Sequence, residues 1–190
     1  MGNPNNIFGP SGGNPAMRDG AFPVNLTAAG NYQIKAASGI FQRLGVNTGA
    51  VSGAVSCYDG LSSTVTITIA SPGVISWPAH GLAAGAAVEF TTTGALPTGL
   101  TAGTKYYVAD DANLTANAFA VSDTKAHALA GTNQINTSGT QSGTQTGWDV
   151  ESPIGTYDAS AQTVLDVGAF CSKGLIAVVA QSPDVTVLYN

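Results

Sequence analysis

The sequence predicts an all-β protein: a β-sandwich or jelly-roll-like body, a small inserted β domain and an extended N-terminal arm. Three observations predict it. Val65, Ile67 and Ile69 interleave with Thr64, Thr66 and Thr68, the period of two that places one set of side chains on one face of a strand. Other apolar runs are short and separated by Gly, Asn, Pro or Asp, the spacing of sandwiches and barrels. Helix signals are weak: residues 82–87 form a short Ala-rich piece broken by Gly85, and 126–130 make one turn at most.

Residues 1–29 read as the arm. They are rich in Gly, Pro and Asn, as in Gly9-Pro10-Ser11-Gly12-Gly13-Asn14-Pro15, and follow neither strand nor helix period. Such a composition orders itself only by docking on something. Two docking partners stay open: the chain's own domain, or a neighbouring subunit anchored by Ile7, Phe8 and Phe22. Strands are then expected over 32–36, 41–47, 54–58 and 64–69. Further strands are expected over 88–92, 105–109, 118–122, 164–167, 175–180 and 184–189. Residues 30–60 and 148–190 read as one set, the body. Residues 61–147 are richer in Thr and close on the polar tract 136–146, a loop or strand-edge return. They read as a module inserted at a loop tip, where insertions are tolerated. A single larger sandwich is the alternative.

Composition narrows the function. Charged residues make up 9% of the 190, against about 25% in an ordinary domain. Six Lys and Arg with a net charge of −5 supply too little positive charge for a dedicated nucleic-acid binder. No apolar run is long enough for a membrane-spanning helix. The first residues carry no basic and apolar leader, so synthesis in a cytoplasm without a cleaved signal is expected. Cys57 and Cys171 belong to no Cys-x-x-Cys pair. They are expected as buried thiols, or as one bridge if they lie on neighbouring strands.

A resemblance adds to this reading. It rests on Ile75-Ser76-Trp77-Pro78-Ala79-His80-Gly81-Leu82, Val88-Glu89-Phe90, Leu96-Pro97-Thr98-Gly99-Leu100, Gly103-Thr104-Lys105-Tyr106-Tyr107-Val108 and Asn117-Ala118-Phe119. This pattern resembles a small β module that recurs in tail and virion structural proteins of tailed bacteriophages. Ala118-Phe119-Ala120 departs from it, since such modules often carry Thr beside the Phe. The outer pieces, among them Gly39-Ile40-Phe41-Gln42-Arg43-Leu44 and Asp184-Val185-Thr186-Val187-Leu188-Tyr189, resemble small β-sandwich proteins of phage heads and necks. The resemblance implies a structural or decorative role on a virion assembled in the bacterial host cytoplasm. It implies a homotrimer and other virion structural proteins as partners; no cofactor, nucleic-acid or membrane partner is expected from the composition and motifs.

The remaining motifs yield no reaction chemistry. His80 and His127 lack neighbouring ligands at metal-site spacing. His80 reads as a turn residue bonding a backbone carbonyl. Asp110, Asp111, Asn113 and Asp123 lie close in sequence but not in an EF-hand spacing, so a solvated turn is expected. Glu89 and Glu151 are the two glutamates, and nothing sets them across a cleft as a glycosidase requires. No nucleophile elbow, phosphate loop or dinucleotide fingerprint occurs. Catalytic, cofactor and metal sites are therefore expected to be absent. The alternative to a structural subunit is a host-surface adhesin, with Trp77, Tyr106 and Tyr107 as candidate glycan contacts. Trp77 and Trp148 read otherwise as core or hinge aromatics at the two ends of the insert. Adjacent Tyr106 and Tyr107 face opposite sides of a strand, one inward and one outward.

Overall fold

The computed structural model describes residues 21–190; Ile7 and Phe8 lie outside the described residues. The chain forms two compact units. One runs through Asp59 and resumes from Pro153 to Asn190, and the other is Gly60–Ser152. In the body, β1 (Phe22–Leu26), β2 (Gly30–Lys35), β3 (Gly39–Thr48) and β4 (Ala54–Asp59) come first. The second unit supplies β5 (Ser62–Ile67), β6 (Val74–Ser76), β7 (Ala87–Thr92), β8 (Tyr106–Val108), β9 (Ala118–Ser122), the one-turn helix α1 (Lys125–Leu129) and β10 (Gln145–Asp149). The chain returns through β11 (Pro153–Asp158), β12 (Thr163–Cys171), β13 (Leu175–Ala180) and β14 (Asp184–Tyr189).

The body is a jelly roll. Its sheets have the orders β1-β14-β3-β12 and β11-β4-β13-β2, and every pairing is antiparallel. The first body strand pairs with the last, the second with the second last, and so inward to β4 with β11. That is one long hairpin rolled up until its two layers face each other. Alternation explains the core. Val55 and Cys57 of β4, Ala177 and Val179 of β13, and Val185 and Val187 of β14 point inward with Phe41, Leu44 and Val46 of β3. Asp59 ties one crossing between sheets. Its carboxylate accepts the Ser172 amide and hydroxyl at 2.8 and 2.7 Å, and the Lys173 and Gly174 amides at 2.8 and 3.1 Å.

The second unit is a closed antiparallel barrel of order β10-β5-β6-β9-β8-β7, with β7 pairing back onto β10. Val65, Ile67, Ile75, Trp77, Val88, Phe90, Tyr106, Val108, Phe119 and Val121 fill it. Gly147 makes this packing fit, because a Cβ there would stand 2.6 Å from the Trp77 ring. The chain leaves for the barrel after β4 and returns as β11, so in chain order the barrel takes the place of the connection between these two strands.

Several expectations need correction. The expected arm, 1–29, contributes a strand to the body. Val24 and Leu26 pack on the core while Pro23 and Asn25 face away. Pro23 is tolerated because β1 is an edge strand and its missing N–H falls on the free side. The unit boundary falls after Ser152, so Trp148, expected in the body, belongs to the barrel. Its indole N–H donates to Thr91 Oγ1 at 2.8 Å. Ile69 leaves the core face because β5 ends at Ile67. Beyond it the chain turns, with Thr68 accepting the Val74 amide on its side chain and the Thr137 hydroxyl on its carbonyl. Strands β6, β10 and β11 arise where no alternation stood out, in segments interrupted by Pro or Gly.

Candidate functional site

The most distinctive surface feature is one side of the jelly roll, where β12 ends one sheet and β11 ends the other. Edge strands carry backbone N–H and C=O groups without a ladder partner. A groove of about 390 Å³ opens between them, lined by Thr156, Tyr157, Asp158, Ala161, Thr163 and Leu165. Along β12, half-buried residues alternate with exposed ones, and full burial is reached only at Cys171. By contrast the first three residues of the interior strand β13 are all buried. Ile154, Tyr157, Leu165 and Val167 touch the core yet remain half-exposed. The core is therefore incompletely covered on this side.

The groove is nearly neutral. Its single charged lining residue is Asp158, whose carboxylate accepts the Ser160 amide at 2.8 Å. The Ser160 hydroxyl and amide hold that carboxyl below its ordinary range. Tyr157 sets its ring edge-on to Phe41, with centroids 6.1 Å apart. Its phenol is pushed up by burial and by the neighbouring Cys57 thiol. Hydroxyls, one tethered carboxylate, apolar flanks and unpaired strand edges suit an extended polypeptide, which takes main-chain hydrogen bonds from an edge and side-chain contacts from a groove.

On the outer face of the same sheet, Phe170 is 68% exposed and stands opposite Ile40, itself exposed, while Val164 is exposed further along β12. The Arg43 guanidinium pairs with Asp166 between them, Nε to Oδ1 at 2.6 Å. Gly168 interrupts β12 at a bulge with φ of +64°, a conformation that favours glycine. The bend separates the straight half of β12 beside the groove from the half that carries Phe170.

The residues singled out from sequence fall in different places. Phe22 is 58% exposed at the start of β1, with its ring 6.0 Å from that of Tyr189. Trp77 and Tyr106 are 4% and 6% exposed inside the barrel, so neither ring presents a face to a sugar. Their expectation as glycan contacts is corrected by the inward register of their positions. Tyr107, the next residue on β8, is half-buried. His80 Nε2 bonds the Thr115 carbonyl at 2.8 Å while Nδ1 accepts the Leu82 amide at 2.9 Å. That pair of contacts makes Nε2 the protonated nitrogen and pins the turn. Asp111 accepts the Asn113 amide and side chain. Asp123 pairs instead with His127 at 2.6 Å. Among the described residues no group of three or more His, Cys, Asp or Glu is placed to hold a metal ion.

Cys57 and Cys171 are both buried, unbridged thiols in one core cluster. They come from β4 and β12, which lie in different sheets. Burial and the neighbouring Cys171 push the Cys57 thiol up to about 12, which removes it from thiolate chemistry near neutral pH. No signal in the sequence marked the groove. It arises from β11, whose run Pro-Ile-Gly-Thr-Tyr-Asp lacks clean alternation, and from the full nine-residue length of β12.

Comparison with protein-family models, curated proteins and solved structures gives no match.

Proposed function

We propose that this chain is a structural subunit of a tailed-phage particle, a decoration, collar or fibre-like protein that works by fitting against other subunits. The observation that carries the reading is the uncovered side of the jelly roll, where two edge strands flank a neutral groove and Phe170 and Val164 are exposed nearby. Exposed apolar surface beside unpaired strand edges is what a protein keeps for a partner. The jelly roll is itself an architecture of viral capsid domains, an analogy of fold that raises the reading without carrying it. The resemblance of the barrel sequence to phage modules supports the same assignment. In this reading the segment before β1, with Ile7 and Phe8, and the exposed Phe22 attach the subunit. The assembled form is a homotrimer joined to other virion proteins in the host cytoplasm.

Jelly rolls also serve lectins, so a glycan-binding adhesin is the second reading. Of its three candidate contacts, Tyr107 alone keeps partial exposure.

One experiment separates the two. Particles are banded from a lysate of cells expressing the phage genes, with either the full chain or a chain lacking residues 2–20. The deletion stops before β1 because removing Phe22–Leu26 would strip an edge strand and Leu26 from the core. The full chain is expected in the particle band, and the shortened one is expected to fold but stay behind. Absence of the full chain from particles overturns the structural reading. If that same protein is retained on bacterial-surface glycans, the adhesin takes its place.

A further inference from the structure

We propose that the groove between β11 and β12 receives the N-terminal segment of a neighbouring copy of this chain, with Ile7 and Phe8 as its apolar anchors. The inference rests on the structural-subunit reading and specifies what one subunit gives another.

Strand register sets the segment's entry point far from the groove of its own chain. Across the sheet β1-β14-β3-β12, Leu26 is level with Val185, Val46 and Thr163, while Phe22 is level with Tyr189, Phe41 and Ala169. The chain therefore enters β1 from the Ala169 end and on the edge opposite β12. The groove is lined by Thr163 and Leu165, at the other end and the other edge. β1 thus begins at the corner of the sheet diagonally opposite the groove.

The segment's length and chemistry match the receiving site. Twenty residues precede Ala21, and an extended chain spans up to about 3.3–3.6 Å per residue, enough to cross to an adjacent subunit. From Gly2 to Ala16 it carries no charged side chain. Ile7 and Phe8 lie in the stretch Asn5-Asn6-Ile7-Phe8-Gly9, bounded by Pro4 and Pro10. Five residues between prolines are the length of one short strand, and Pro on either side cannot donate to a ladder. A neutral strand suits a groove whose one carboxylate, Asp158, is already held by Ser160. The bulge at Gly168 bends the far half of β12. Bulges at edges block further pairing, so the straight stretch from Thr163 to Asp166 is the part of this edge left to pair.

The test uses the full-length chain in sedimentation velocity. Wild type is expected to associate with rising concentration. Phe8→Asp removes the anchor and Ala161→Trp fills the groove from an exposed position, and each is expected to weaken association at least about tenfold. An equimolar mixture of the two is expected to recover a one-to-one pair, since one variant keeps an intact groove and the other an intact segment. A second measurement is independent of how Ala161→Trp folds. Chains carrying Phe8→Cys and chains carrying Ala161→Cys are mixed under oxidised glutathione, and a covalent dimer is expected on a non-reducing gel. Wild type that stays monomeric up to about 100 µM, or a mixture that neither pairs nor cross-links, overturns the proposal. If association survives both Phe8→Asp and Ala161→Trp, the groove assignment falls. Recovery of the chain in banded particles is scored separately and decides the structural reading whichever way the groove test falls.

Discussion

In the barrel every strand has two hydrogen-bonded neighbours, with β10 pairing both β5 and β7, whereas the sheets of the body end in β1, β12, β11 and β2. The barrel's loops are likewise tied from within, although Gln141 Oε1 is buried without a hydrogen-bond partner. Thr137 bonds the Thr68 carbonyl at 2.6 Å, the Gln141 amide donates to the Ile67 carbonyl at 2.6 Å, and His80 pins its turn. The body leaves Leu165, Val167 and Tyr157 half-exposed beside unpaired edges. A sheet closed on itself offers no strand to a partner; an open one does. The difference teaches which unit keeps open edges: the jelly roll.

The largest effect expected tests whether the two cores are separate. Phe41 and Phe119 are both fully buried, one in each unit. Phe41→Ala and Phe119→Ala should each cost about 3–5 kcal/mol. Scanning calorimetry should show two transitions, with each substitution lowering one of them. A single transition lowered equally by both would break the comparison. A smaller effect contrasts two glycines. At Gly147 a Cβ meets the Trp77 ring, whereas at Gly168 it meets nothing within 4 Å. Gly147→Val should cost about 1–3 kcal/mol through overpacking. Gly168→Ala should cost about 1–2 kcal/mol through its backbone conformation alone. No loss for Gly147→Val in urea titrations would mean that the barrel interior yields more readily than its geometry implies.

The smallest effect concerns Asp59. Burial works to raise its carboxyl, but the hydrogen bonds from Ser172, Lys173 and Gly174 outweigh it and hold the group below its ordinary value. A carboxyl depressed in the folded state stabilises above the unfolded value of about 3.9, and that stabilisation fades as pH falls through the folded value. Asp59→Asn should therefore destabilise the body at pH 7 by about 1 kcal/mol, a figure discounted for solvent screening. The loss should disappear in strong acid. Chemical denaturation at pH 7 and pH 2 measures it, and a deficit unchanged at pH 2 would assign the effect to packing.

The core of the fold was legible where alternation was clean. Val65 and Ile67, or Val185 and Val187, announce their inward faces because Thr or other polar residues stand between them. It was illegible where the strand role depends on position in the sheet. Pro23 reads as a breaker until β1 is seen to be an edge, and Pro153 with Gly155 masks β11 in the same way. Trp77 is buried, as a core aromatic would be, and Tyr106 and Tyr107 face opposite sides of β8, but which of the two turns inward is set by a register that local sequence does not encode. The groove was hidden for a related reason: it is made by two strands that meet across the layers, and each lining residue is unremarkable in its own segment.

The site of the barrel's attachment carries a last consequence. Asp59 and Pro153 close two strands that lie side by side, with Pro153 opposite Tyr58. To the jelly roll, everything from Gly60 to Ser152 is one turn, whatever its size. Replacing those residues with a turn of a few residues would remove none of the strand pairings of the framework.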